Sequence, residues 1–261
     1  MPYITSAVSA KASRKAIDVH GQTYHLSPYV GSAPLRGSYI PGNEKNDDGL
    51  PQGFLVEQPS NSVTPPHFHD HEQYHVFVDG GARLGKHVAS PLSLHYARGH
   101  TPYGPITAGP SGVVYFTLRA RWDSGAKYMP GARDKLKKVK RKHRMAADIE
   151  LPNSDFVCQA DRVARTEVMS LEDDGTCAYL YTIPPGKVTL VDTDKIAGGQ
   201  YAIVVDGFAV GEKENLTRLS GFYRSPREEP LEVKAGKDGL AVSYTHLRAH
   251  ETRGNLVCRL L

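Results

Sequence analysis

The apolar residues of the chain fall into short segments that end at turn residues, the pattern of a β protein. "QYHVFVDG" (residues 73 to 80) and "QYAIVVDG" (200 to 207) are rich in valine and aromatic residues, and both stop at an Asp-Gly pair. "GVVYFTLRA" (112 to 120) indicates a further strand after a glycine-containing turn. We predict an all-β fold, with helical periodicity only around the basic segment 132 to 147.

The sequence also contains an internal repeat. Residues 73–114 align without gaps with residues 200–241, and 13 of the 42 positions are identical. About two or three identities are expected by chance. We therefore predict two copies of one domain, at residues 1–130 and 151–242, joined by a basic linker at residues 131–150.

The last 19 residues, "SYTHLRAHETRGNLVCRLL" (243–261), interrupt the repeat. They resemble a translated sequencing adapter of the kind found at the ends of metagenomic reading frames. The second copy should have a strand equivalent to "VVYFTLRA", and "LAV" begins it before the tail takes over. We expect residues 243–261 to be non-native and the last strand of the second copy to be missing.

Composition and charge exclude several classes of function. The chain is 39% hydrophobic and 23% charged, as in ordinary globular proteins, and no stretch has the length of a membrane span or the apolar core of a signal peptide. The expected location is the cytoplasm, with no membrane partner. The three cysteines, Cys158, Cys177 and Cys258, have neither the number nor the spacing of a disulfide framework.

Basic residues do not indicate nucleic-acid binding. Without the tail, which holds three arginines and one glutamate, the net charge falls from +4 to +2. The polybasic run "ARDKLKKVKRKHRMAA" (132–147) has no interleaved aromatic residues to stack on bases. We interpret it as a solvated helical linker and expect no nucleic-acid partner.

Candidate chemistry is concentrated in "TPPHFHDHEQYHVFVDGG" (64–81), which holds four histidines within nine residues. Residues i and i+2 of a strand face the same side, so His67 and His69 can offer imidazole nitrogens to one ion inside a barrel. Imidazole suits iron, manganese, nickel, zinc or copper. We expect His71 to lie in a turn. His75 is a candidate catalytic residue, with general base, partner of the metal site and polar core residue as open roles.

The H-x-H pair, the following strand and its terminal glycine resemble the first metal motif of the cupin superfamily. In that family two histidines and a glutamate, followed by six residues and a glycine, supply three metal ligands. Here His67 and His69 match the pair, whereas Gln73 stands where the glutamate is expected. A neutral amide is a weaker ligand than a carboxylate, and a buried amide that satisfies backbone groups explains Gln73 equally well.

The family's second motif supplies a fourth histidine ligand, and the corresponding segment here reads "HTPYGP" (100–105). It places Tyr103 at the ligand position, where it could act as ligand, proton donor or packing residue. His100 is the second candidate catalytic residue, and we expect this loop to form the mouth of the pocket.

The second copy lacks the histidines. Asp194 and Ile196 replace His67 and His69, but Gln200 still matches Gln73. A glutamine that recurs in a copy without the metal motif is explained as easily by a structural role as by coordination, so both roles of Gln73 stay open.

The resemblance implies two tandem cupin-type (double-stranded β-helix, or jelly-roll) barrels. The first would bind a divalent transition metal, with iron favoured, and act on a small organic substrate as a dioxygenase. Isomerase or lyase chemistry and non-catalytic binding or storage remain alternatives. The second barrel would serve packing or the formation of a homodimer.

Overall fold

The computed structural model describes residues 3–151, 161–191 and 198–248, and these form an almost entirely β structure. The first part contains α1 (Ala7–Ala12), two 3₁₀ turns (Asn43–Asn46 and Arg133–Lys135) and twelve strands. These strands are β1 (Tyr3–Thr5), β2 (Lys15–Val19), β3 (Gln22–Val30), β4 (Gln52–Gln58), β5 (Val63–Thr64), β6 (His67–Phe68), β7 (Gln73–Leu84), β8 (His87–Ala89), β9 (Leu94–Ala97), β10 (Ile106–Arg119), β11 (Lys127–Tyr128) and β12 (His143–Ala146). The second part adds β13 (Ala164–Met169), β14 (Cys177–Ile183), β15 (Val188–Val191), β16 (Gln200–Ala209), β17 (Leu216–Thr217), β18 (Gly221–Arg224) and β19 (Leu231–His246).

The described strands form two large sheets and one small one. The nine-stranded sheet has the order β12-β9-β7-β10-β4-β3-β2, with β5 on β10 and β8 on β7. The eight-stranded sheet has the order β1-β18-β16-β19-β14-β13, with β15 on β19 and β17 on β16. A separate pair joins β6 to β11. All pairs are antiparallel, and each large sheet curls around a core of its own.

A third apolar cluster lies between the two barrels, which explains why β7 and β16 are apolar on both faces. Tyr74, Val76 and Val78 of β7 belong to the shared cluster, as do Tyr201, Ile203 and Val205 of β16. The alternate residues of each strand face the interior of its own barrel. The repeated "QY-x-x-x-V" pattern therefore records a strand buried on two sides.

The Asp-Gly pairs of these strands are equivalent in detail, but they lie within β7 and β16, so the prediction that the strands stop there is wrong. Gly80 has φ +66°, and a Cβ there would lie 2.2 Å from the Gly112 carbonyl oxygen. Gly207 has φ +68°, and a Cβ there would lie 2.2 Å from the Gly239 oxygen. Only glycine fits such a position, because it lacks a Cβ and tolerates a left-handed backbone.

The helical interpretation of the basic segment is wrong. After the 3₁₀ turn Arg133–Lys135, the chain is extended and ends in β12, which pairs with β9. Lys142 and Arg144 form ion pairs with Glu172 of the second half. Pairing with β9 provides backbone hydrogen bonds, and Glu172 provides a negative charge beside the basic side chains. An isolated helix would instead bring the like charges of the segment together.

The expectation of a missing last strand is also wrong. β19 continues to His246, and its residues 243–246 are buried in register with β14, where Ser243 faces Leu180 and His246 faces Cys177. The non-native origin of the tail stays a prediction, and residues 249–261 lie outside the described residues. The domain limits likewise stay a prediction, although β1 joins the second sheet and β12 joins the first.

No helix within residues 3–151, 161–191 and 198–248 is long and apolar enough to cross a membrane. Location in the cytoplasm stays a prediction. Cys177 is buried, and Cys158 and Cys258 lie outside the described residues.

Candidate active site

A cavity of about 90 Å³ opens inside the first barrel and holds most of the candidate chemistry. Its walls are largely apolar and aromatic, and its polar groups include His67, His69, His75, Tyr103 and Arg119. The lining also includes residues of the segments 34–37 and 125–128. The cavity therefore combines an apolar enclosure with a small set of convergent polar groups, which is typical of a small-molecule site.

His67 lies on the short strand β6, which is fixed on one side by β11 and on the other by a bridge to Tyr103. Its Nδ1 donates to the Pro65 carbonyl oxygen at 2.8 Å, which leaves the Nε2 lone pair available. Burial lowers the pKa of His67 to about 3, with the charges of His69 and Arg119 acting in the same direction. The imidazole is therefore neutral at pH 7, as a metal ligand must be.

His69 is oriented by a buried carboxylate. Its Nδ1 lies 2.7 Å from Asp123 Oδ1, so it is the donor and its Nε2 again carries the lone pair. The imidazole rings of His67 and His69 are 5.2 Å apart and nearly perpendicular, at 88°. In metal sites, a carboxylate that accepts from the second ring nitrogen of a ligating histidine is the usual means of fixing the histidine's tautomer.

Asp123 is fully buried and also accepts backbone N–H groups, from Asp70 at 2.9 Å and from Gly125 at 2.9 Å. Burial would raise the pKa of Asp123, but His69, Arg119 and these donors together hold it well below its ordinary value. The carboxylate is ionised at pH 7.

Gln73 lies behind the cavity wall in a chain of hydrogen bonds. Arg119 Nε donates to Gln73 Oε1 at 2.9 Å, which turns the amide nitrogen toward Tyr103 and His75. That nitrogen donates to the Tyr103 hydroxyl and, at 3.0 Å, to His75 Nε2. His75 Nδ1 in turn lies 3.3 Å from His95 Nδ1. Because the guanidinium can only donate, it sets the direction of the whole chain.

The chain of hydrogen bonds bears on three of the sequence predictions. The amide oxygen of Gln73 faces Arg119 rather than His67 and His69. Both ring nitrogens of His75 are engaged, so no lone pair of His75 faces the cavity. Burial raises the pKa of the Tyr103 phenol, which keeps the hydroxyl protonated. The ligand roles of Gln73 and Tyr103 and the catalytic role of His75 stay predictions.

His100 is separate from the cavity lining. Its backbone N–H donates to the His69 carbonyl oxygen at 2.8 Å, and its Nε2 lies 3.8 Å from Asp70 Oδ1. His71 lies in the turn between β6 and β7, as expected. The catalytic role of His100 also stays a prediction.

Arg119 is the buried group that the sequence interpretation missed. It is 2% exposed and reaches Gln73, Gln52 and His69 across the floor of the cavity. A usable signal was present, because Arg119 shares strand parity with Tyr115 and Thr117 and therefore faces inward at the end of an apolar strand. Asp123, four residues further on, gave no comparable periodic signal.

The second barrel holds a related polar cluster without the histidine pair. Gln200 Oε1 accepts from Arg224 Nη1 at 2.9 Å and from the Tyr244 hydroxyl, and its amide nitrogen lies 3.4 Å from His246. Positions 194 and 196, the counterparts of His67 and His69, lie outside the described residues. An arginine bound to the glutamine oxygen is therefore a feature of both barrels.

The residues present fit a divalent metal through two donors. His67 and His69 have tautomers fixed for Nε2 coordination, and their ring centroids are 5.2 Å apart. Within the described parts of the chain, however, no group of three or more His, Cys, Asp or Glu side chains is arranged to hold an ion. Further ligands would have to come from Gln73, Tyr103, solvent or substrate.

Comparison with known proteins gives structural matches only. No protein-family model matches the chain, and no curated protein matches it in sequence. A putative dioxygenase from Nostoc punctiforme has a TM-score of 0.64 at 10% identity, covering 97% of this chain and 84% of that one. A bacterial pirin from Escherichia coli in complex with nickel(II) gives 0.54 at 12% identity, covering 96% and 100%.

Vicilin from hazelnut (Corylus avellana) gives a TM-score of 0.54 at 13% identity, covering 95% of this chain and 86% of its own. Identities this low bear on the fold and not on the activity. The double barrel, the antiparallel sheets and these matches together lead to one conclusion. The chain has an all-β fold of the cupin type, which it shares with these structures.

Proposed function

We propose that the first barrel is a metal-dependent enzyme that acts on a small organic substrate. One observation carries the proposal. Two buried, neutral histidines line a largely apolar cavity, and each has its Nδ1 engaged as a donor, so that its lone pair is on Nε2. The favoured reaction is that of an iron-dependent dioxygenase, in line with the match to a structure described as a putative dioxygenase.

The protein's own residues would prepare the site. A bound divalent ion would supply a Lewis-acid centre and, if it were iron, a redox centre. Asp123 holds His69 in its coordinating tautomer, and the Pro65 carbonyl does the same for His67. The Tyr103 hydroxyl accepts from Gln73, so its own proton is available to donate to a substrate oxygen. Phe54 and Tyr115 line the cavity and exclude water from the reacting groups.

Elemental analysis after loading with Fe(II), Mn(II), Ni(II) or Zn(II) tests the metal site. We expect the wild type to retain one equivalent of at least one ion, and His67→Ala with His69→Ala to retain none. The matched control is His25→Ala with His87→Ala, which also removes two histidines but none from the cavity wall. Equal metal content in the wild type and the His67/His69 variant would refute the proposal.

A non-catalytic binding protein is the second candidate. The observation in its favour is the Arg119 guanidinium, which lies 3.2 Å from the ring nitrogens of His69, in a cavity whose described lining includes no Asp or Glu. This candidate predicts a protein that binds a small molecule with the same affinity before and after removal of metal by a chelator. A metal-dependent enzyme would lose turnover on the same treatment.

A further inference from the structure

The Arg119 guanidinium has hydrogen-bonding capacity that the protein leaves unused. Nε donates to Gln73 Oε1 at 2.9 Å, and Nη1 donates to Gln52 Oε1 at 2.5 Å. Nη2 lies 3.2 Å from both ring nitrogens of His69. An atom equidistant from the two nitrogens cannot lie in the ring plane at this range without colliding with Cε1, so Nη2 lies over the ring face. Neither His69 nitrogen is therefore an in-line acceptor for the Nη2 hydrogens.

The charge of Arg119 also lacks a direct counterion. In the described parts of the chain, no carboxylate forms an ion pair with it. The buried carboxylate of Asp123 interacts with Arg119 only through its charge, because its oxygens accept from N–H donors of His69, Asp70 and Gly125. Burial keeps the neighbouring His67 and His75 neutral. A buried cation without a paired anion is costly, and an anion that enters the cavity would relieve that cost.

Comparison with the second barrel shows which of the Arg119 contacts are common to both barrels. Arg224 donates from Nη1 to Gln200 Oε1, as Arg119 donates to Gln73. Its Nε and Nη2 both donate to the Glu228 carbonyl oxygen, which is part of the protein. The glutamine contact is thus common to both barrels. The Nη2 group without an in-line protein acceptor, directed at a cavity, is the feature that distinguishes Arg119.

We propose that the cavity of the first barrel binds a small organic anion, whose carboxylate or enolate oxygen accepts from Arg119 Nη2. This inference names the substrate class of the site in the proposed function, and rests on that function for the reaction. The volume of about 90 Å³ is smaller than the roughly 150 Å³ apolar cavity that accommodates benzene in an engineered protein. The anionic head group is therefore no larger than a single ring, and the open mouth leaves space for substituents.

Binding of isosteric probes to purified protein tests the inference without an activity assay. The pairs are benzoate with benzamide and butyrate with butyramide, titrated calorimetrically at pH 7 and low salt. A charge-assisted hydrogen bond to a buried arginine predicts that the anion of at least one pair binds about 10- to 100-fold more tightly than its amide. Equal binding of acid and amide in both pairs, or no binding of either anion, would overturn the inference.

Arginine variants assign the preference to one residue. Arg119→Gln should abolish the preference for the anion, whereas Arg83→Gln, which removes an exposed arginine outside the cavity lining, should retain it. Thermal unfolding checks that Arg119→Gln folds. If it does not, Arg119→Lys, which keeps the charge but loses the guanidinium geometry, should weaken the preference. An unchanged preference in the folded variant would overturn the inference.

The metal content and the anion preference of the wild type, measured together, separate this inference from the proposed function. If the wild type retains no metal but still prefers the anion, the inference stands and the metal-dependent function fails. If the wild type retains metal yet binds acid and amide equally, the inference fails and the metal site stands.

Discussion

Asp123→Asn is the substitution that most directly tests how the site is held together. The Asp123 carboxylate connects two segments of the chain. One is residues 69–71, which follow β6, and the other is the turn that precedes β11. Oδ1 accepts from His69 Nδ1 at 2.7 Å and from the Gly125 N–H at 2.9 Å. Oδ2 accepts from the Asp70 N–H at 2.9 Å and more weakly from His71 at 3.4 Å. In all of these hydrogen bonds the Asp123 oxygens are the acceptors.

Asparagine offers one oxygen and one NH₂ group in place of two oxygens. In either orientation, the NH₂ group is placed against N–H donors that have lost their acceptor. One full buried donor left unsatisfied costs about 1–3 kcal/mol, and loss of the negative charge beside Arg119 adds to the cost. We expect Asp123→Asn to lower the free energy of unfolding by about 3 kcal/mol.

Urea denaturation followed by circular dichroism measures this quantity. Asp79→Asn is the matched control, because Asp79 is exposed and an asparagine oxygen can accept the same hydrogen bond from the Gly80 N–H. It should change stability by less than about 0.5 kcal/mol. A loss below about 1 kcal/mol for Asp123→Asn would refute the reasoning that the carboxylate organises the site.

Two further predictions concern the fold. Burial opposes ionisation of Asp174, but hydrogen bonds from Thr176 and Lys142 lower its pKa. The contribution of Asp174 to stability is therefore present above about pH 4 and is lost as the pH falls toward the folded-state pKa. Asp174→Asn should therefore flatten the acid side of the stability profile measured by urea denaturation between pH 7 and pH 3, and an unchanged profile would contradict this. Gly207→Ala should cost at least about 2 kcal/mol more than Gly186→Ala, since both have φ near +67° but only the Cβ at position 207 would meet a backbone oxygen, at 2.2 Å. Equal losses in thermal unfolding would show that the close contact relaxes.

The β class and the equivalence of β7 and β16 could be predicted from the sequence. A strand buried on both faces has a run of consecutive apolar residues, and in both strands this run precedes an Asp-Gly pair. The turn at His71 could also be predicted. The helix in the basic segment could not be excluded, because its strand exists only through pairing with β9 and ion pairs with Glu172, and both contacts are distant in sequence. Local periodicity carries no information on such partners.

The site could be predicted in part, for a related reason. Strand spacing was sufficient to place His67 and His69 together on one wall. The orientation of their rings depends on Pro65, which is local, and on Asp123, which is 54 residues away from His69. The inward orientation of Arg119 could be predicted from its position in the strand. Its effect on the Gln73 amide could not, because that effect follows from the direction of a hydrogen bond in the folded barrel.

Gln73→Glu tests whether the two properties proposed for the cavity compete. A glutamate at this position would form an ion pair with Arg119, through the contact that now joins Arg119 Nε to Gln73 Oε1. The charge that attracts an anionic substrate would then be neutralised within the protein, and a carboxylate would be added near His67 and His69. We therefore expect the affinity for the preferred anionic probe to fall about tenfold and the retention of divalent metal to rise. Gln200→Glu, which makes the equivalent change beside Arg224 in the second barrel, is the control and should affect neither. If Gln73→Glu binds the anion as tightly as the wild type, the charge of Arg119 is not what the anion recognises, and the shared Arg–Gln pair is architecture in both barrels.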